Sequence, residues 1–231
     1  MTTAERIRLA GTRFERTLLA RPGTEPDTTT RVTWVQGEKL YCDLRQPASL
    51  PVVTASTAND MNFDDLVALA TQDGFAGRLL DRGDHVEWER AVSFHPLGPT
   101  PDAGSLALLD ADTIAEHAVY EDYTEHWHTA GVSSDIEEYL LEDIDTGATA
   151  VLVRVGETFA FARGRDRTPG SGSLLERIRG GGDTPRGPRS ARLRGRRRPS
   201  VRRPMEHHRI DSPVPDRGRP RPRFRRRNPH K

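Results

Sequence analysis

The sequence predicts a mainly β chain, an antiparallel β-barrel with one short helix followed by a disordered basic tail. Apolar and polar residues alternate with period two through residues 11–163. Gly, Pro and Asp clusters break that alternation at hairpin spacing. Beyond about residue 180 the apolar residues give out. Many short strands joined by tight turns favour a closed or nearly closed barrel, which leaves no unpaired strand edge.

The alternation places strands near 12–19, 31–36, 39–45, 76–80, 85–94, 105–109, 113–120, 122–128, 136–144, 148–155 and 157–163. Gly37-Glu38, Arg82-Gly83-Asp84, Asp145-Thr146-Gly147 and Gly156 supply the tight connections. One helix is expected from Asn62, a suitable N-cap. Asp64 and Asp65 fall in its first turn, and Phe63, Leu66, Val67, Leu69 and Ala70 form its apolar face. It should stop by Gly74. Residues 47–51 and 95–101 are Pro-rich loops. The barrel domain therefore spans 5–166, and residues 167–180 form a linker or the start of a second helix at Ser173.

Residues 181–231 form the Arg/Pro-rich tail. Seven apolar residues in fifty-one, with 34% hydrophobic residues in the whole chain, cannot offset a backbone ordering cost of roughly 1–2 kcal/mol per residue. The tail holds 18 of the 35 basic residues and 4 of the 34 acidic ones, so it carries about +14 and residues 1–180 about −13. Two readings of it stay open, a genuine disordered tail and GC-rich DNA translated in a shifted frame. Read one base later, Met205 becomes tryptophan, and permissive third bases continue it as a strand and turn. A shifted frame would leave the barrel without its closing strands.

The charge division excludes nucleic-acid binding through the folded domain, because phosphate-backbone affinity needs clustered positive charge. One cysteine, Cys42, rules out an internal disulfide and a CxxC metal site; between Leu40 and Leu44 it reads as a small buried hydrophobe. The charged N-terminus is unlike a signal peptide, and no apolar run approaches the roughly 20 residues of a membrane span. A cytoplasmic protein with no membrane partner is the expectation.

Alternation also sorts side chains by face. If the aromatic faces point inward, the lumen holds Trp34, Tyr41, Trp88, Tyr123 and Trp127, with Gln36, Asp43, Arg45, Arg90 and Glu125 among them. Buried charges are costly unless paired, so Arg90 should pair with Glu125, or Arg45 with Asp43. Three uses fit these ten residues: a polar network fixing strand register, a small-ligand pocket, or catalysis with Glu125 as acid/base and Arg90 or Arg45 as anion clamp. His126 and His128 share one strand face and could chelate a metal with His117 or Glu116, but they read as solvent-facing. No metal or cofactor is expected.

Several segments carry a family resemblance. They are Thr30-Arg-Val-Thr-Trp-Val-Gln-Gly, Leu40-Tyr-Cys-Asp-Leu-Arg, Gln72-Asp-Gly-Phe-Ala-Gly, Trp88-Glu-Arg with Phe94-His-Pro, Tyr123-Thr-Glu-His-Trp, and Val153-Arg-Val-Gly-Glu-Thr-Phe-Ala-Phe-Ala-Arg-Gly-Arg. Over residues 10–166 the chain resembles an uncharacterised bacterial family of calycin-type, lipocalin-like barrels. The last two segments also resemble part of a fungal Hri-type family of paired calycin-like barrels. The lipocalin signature wants Gly-x-Trp, whereas Gly11 is followed by Thr12, Arg13 and Phe14. The resemblance implies a calycin-like barrel and no particular reaction. The expected function is non-catalytic binding of a small organic ligand, with a barrel enzyme and a structural or partner-binding protein as alternatives; the oligomeric state stays open.

Overall fold

The computed structural model describes residues 7–57, 60–165, 174–180, 209–210 and 223–227. Eight strands follow one another around a closed antiparallel barrel: β1 (Thr12–Ala20), β2 (Arg31–Gln36), β3 (Leu40–Gln46), β4 (Asp73–Asp81), β5 (Val86–Ser93), β6 (Ala103–Leu108), β7 (Thr113–Ala118) and β8 (Thr124–Val132). Each pairs with its neighbour in sequence, and β1 closes the cylinder on β8.

The connection from β3 to β4 carries α1 (Phe63–Ala70). Asn62 caps it as expected: its side chain accepts from the Asp65 amide at 2.9 Å, and the Asp65 carboxylate accepts from the Asn62 amide at 3.2 Å. A second short helix, α2 (Leu174–Arg179), lies beside α1.

The remaining strands of the alternating region leave the barrel. β9 (Ile136–Asp143), β10 (Thr149–Val155) and β11 (Thr158–Arg163) form a separate sheet packed on the outside of β2 to β5. The sequence groups all eleven strands in one barrel and allows for missing closing strands; the structure closes the barrel on eight. The reason lies in β3, whose two faces are both buried. Tyr41 and Asp43 point into the lumen, while Leu40 and Cys42 pack outward with Val35, Ala76 and Val92 against Val151, Val153, Val155, Ala160 and Ala162. Cys42 is the small buried hydrophobe its neighbours predict.

Two short stretches of the Arg-rich segment join this second sheet. β12 (Arg209–Ile210) runs parallel to β11, and β13 (Phe224–Arg226) pairs with β9. The rest of the segment expected to be disordered, and Met205 with its shifted-frame reading, lie outside the described residues.

Inside the barrel, Trp34 is the packing centre. Its ring lies 4.7 Å from Phe14 and 5.5 Å edge-on from each of Trp88 and Trp127. Val32, Tyr41, Phe75 and Ile114 complete this core. Gly77 sits opposite Tyr41 at a bulge, where a Cβ would come 1.9 Å from the Glu89 carbonyl oxygen, so only glycine fits.

Trp34→Ala should cost about 3–5 kcal/mol of stability in chemical denaturation, because three aromatic neighbours lose their common partner at once. A loss below about 1 kcal/mol would show that the lumen is not packed around this ring.

Candidate functional site

One end of the barrel is sealed by a glutamine. Gln36 is 1% exposed and accepts from the Trp34 indole N–H at 3.0 Å. Its amide donates to the carbonyls of Gly37 and Leu40. With every polar atom satisfied, this end is a finished core.

The opposite end is built from charge. Alternation along β3 aims Asp43 and Arg45 inward, and Arg45 donates to the Asp43 carboxylate at 2.9 Å. Its guanidinium also reaches Glu125 of β8 at 3.2 Å. Glu125 takes a second guanidinium, Arg16 of β1, at 2.6 Å, and Arg16 continues to Asp27 at 2.8 Å in the β1–β2 connection. Arg16 and Glu125 are almost completely buried, so each charge depends on the others. Burial works to raise the Asp27 carboxyl, yet hydrogen bonds from Thr29 and Thr30 outweigh it and hold it below its ordinary range. Burial pushes the Asp43 carboxyl up to about 6, with Arg45 pulling the other way.

Arg90 does not pair with Glu125 as its position beside Trp88 suggests. It donates to Asp102, in the loop before β6, at 2.6 Å, and its guanidinium lies over the Phe75 ring at 3.5 Å. Glu125 is already occupied by arginines from β1 and β3, and Arg90 is nearer a loop acid that alternation does not reveal. The other expected pair, Arg45 with Asp43, is present.

Glu116 of β7 sits directly across the ladder from Glu125 and is 3% exposed. It accepts from the Trp127 indole N–H at 2.9 Å, with the Tyr123 hydroxyl 3.4 Å away. Its stem fills the space of a missing side chain, since a Cβ on Gly104 would come 2.5 Å from it. Burial, reinforced by Glu125 and Asp102, pushes its carboxyl well above the ordinary range. The two carboxyls facing across the ladder thus have different partners: Glu125 meets two guanidiniums, Glu116 an indole and a phenol.

Above this network the barrel opens into a cavity of about 570 Å3. Arg45, Trp88, Arg90, Tyr123 and Glu125 line it, with the 97–102 loop on one side. Trp34, Gln36, Tyr41, Asp43 and Trp127 share the lumen but do not line the cavity; they pack beneath it. The residues that alternation did not single out for this site are Arg16, Asp27, Asp102 and Glu116. For Arg16 and Glu116 a signal existed, since each stands two residues from an apolar lumen residue, Phe14 and Ile114. Asp27 and Asp102 lie in loops, where period two says nothing.

Two buried donors beneath the cavity have no partner. The Tyr41 hydroxyl and the Arg90 Nε each make no hydrogen bond among the described residues. Burial pushes the Tyr41 hydroxyl well above its ordinary range, with Arg90 pulling the other way. His126 and His128 alternate with Glu125 and Trp127 and so face away from the lumen; among the described residues no three His, Cys, Asp or Glu side chains gather as a metal site. Nor is any described helix long and apolar enough to cross a membrane.

Glu116 makes stability depend on pH. Its folded-state pKa is raised, so the folded state holds a proton that the unfolded chain releases above about pH 4.5. Stability should then fall as pH rises, by at most about 1.4 kcal/mol per pH unit for this proton. Asp43 adds a similar decline only up to about pH 6. Glu116→Gln keeps an acceptor for Trp127 and should flatten the decline above pH 6 in urea melts. An unchanged slope would mean that Glu116 is ionised in the fold.

Set beside known proteins, the chain matches no family model, no curated protein and no solved structure. Its functional reading rests on the geometry of the barrel.

Proposed function

We propose that this chain is a non-catalytic barrel of calycin-like architecture that binds a small organic ligand through its open end. The observation that carries the reading is the cavity of about 570 Å3 at the open end, lined by Trp88 and Tyr123 beside Arg45, Arg90 and Glu125. Such a volume suits a small molecule, and pockets of this kind set a few polar groups against apolar walls. Trp88 supplies the wall. An up-and-down barrel of eight strands sealed at one end, here by Gln36, is a familiar container for such molecules.

The enzyme reading needs Glu125 to exchange protons. Guanidiniums at 2.6 and 3.2 Å hold its carboxyl from two strands instead, which supports an architectural role over acid/base work.

Tyr41→Phe removes an unmet buried donor, so the purified variant should be as stable as the parent or more so by about 1–3 kcal/mol. Mass spectrometry of solvent extracts should recover a small molecule at near-stoichiometric yield from both proteins. Destabilisation by more than about 1 kcal/mol, together with empty extracts from both proteins, would overturn the reading.

A further inference from the structure

We infer that the ligand carries a cationic amine or ammonium group, held at the cavity rim by carboxylates and aromatic faces. The inference rests on the ligand-binding reading above and adds the charge of the molecule.

The lining of the cavity contains six acidic residues and three arginines, so the mouth is acidic. The arginines of the floor are already spent. Arg45 faces Asp43 and Glu125, and Arg90 faces Asp102. Neither offers an uncompensated positive charge to an anionic ligand. At the rim the balance tips the other way: three lining acids, Asp73, Glu89 and Glu121, make no ion pair among the described residues, against one such arginine, Arg21. A concave, low-dielectric mouth focuses such a field and raises the local concentration of cations.

The rim is also aromatic. Trp88, Tyr120 and Tyr123 line it, and a cation over an aromatic face gains about 0.5–2 kcal/mol depending on desolvation. The fold already uses this contact there, since the Arg21 guanidinium sits 5.2 Å from the centre of the Tyr123 ring. An anion in the cavity would add to the carboxylates of Asp102 and Glu125, which line it. The matching molecule therefore carries an amine on an apolar or aromatic body.

Three probes of similar size test the charge: 2-phenylethylamine, 2-phenylethanol and 3-phenylpropanoate, titrated into the full chain while tryptophan fluorescence is followed. The amine should bind at least ten-fold more tightly than the alcohol, and the carboxylate most weakly. Asp73→Asn combined with Glu121→Gln should bring the amine down to the level of the alcohol and leave the alcohol unchanged, with the melting temperature checking that the variant folds. Equal or tighter binding of the alcohol or the carboxylate would overturn the cationic assignment and leave the ligand-binding reading standing. Binding of none of the three would overturn both.

Discussion

Glu125 is held by two arginines from two different strands, and the open half of the barrel is arranged around that arrangement. Arg16 comes from β1 and Arg45 from β3, while Glu125 itself stands on β8. The three groups tie the closing seam β1–β8 to a strand that does not neighbour β8 in the barrel. Because Arg16 and Glu125 are nearly withdrawn from solvent, removing any one member leaves another charge without compensation. The rest follows from this. Asp43 completes Arg45, Asp27 completes Arg16, Glu116 takes the Trp127 indole, and Arg90 turns to Asp102.

This division also explains why one end of the barrel is full and the other open. At the sealed end, Gln36 and Trp34 satisfy one another and the neighbouring carbonyls without any charge. At the open end the polar groups are ionic and bulky, held apart by their own pairing geometry, and aromatic rings fill the gaps between guanidiniums. Phe75 lies under Arg90 at 3.5 Å and near Arg45 at 5.1 Å. Charge reappears on the second sheet in a plainer form, where Arg223 meets Asp145 and both Arg225 and Arg227 meet Glu142. These pairs are largely exposed and contribute little each, whereas the lumen network is protected from screening.

Much of this was legible in the sequence, and the limits are physical. Alternation located the strands to within a few residues and aimed nine of the ten candidates inward along their strands, because period two is what a strand with one buried side must show, while Tyr123 lies just before β8 and lines the cavity. The capping box at Asn62 was equally readable. Pairing was not. Arg90 and Glu125 each stand beside a tryptophan, yet which carboxylate a long guanidinium reaches depends on register across the barrel and on loop acids such as Asp102 and Asp27. Nor does alternation show that Leu40 and Cys42, opposite the lumen, would be buried by a second sheet rather than by the barrel wall. A strand with two apolar faces signals that another layer covers it, and β3 carried that signal at Leu40, Cys42 and Leu44.

The central claim, that the Arg45–Glu125 contact organises the open end, is tested most directly by a double-mutant cycle in urea. Arg45→Met, Glu125→Gln and the double variant would be compared with the parent chain. Each single change should cost roughly 3–5 kcal/mol, and the double variant should recover part of that loss, giving a coupling of about 1–3 kcal/mol. Additive losses, with coupling near zero, would mean that Arg45 and Glu125 act independently and that the network does not hold the barrel mouth together.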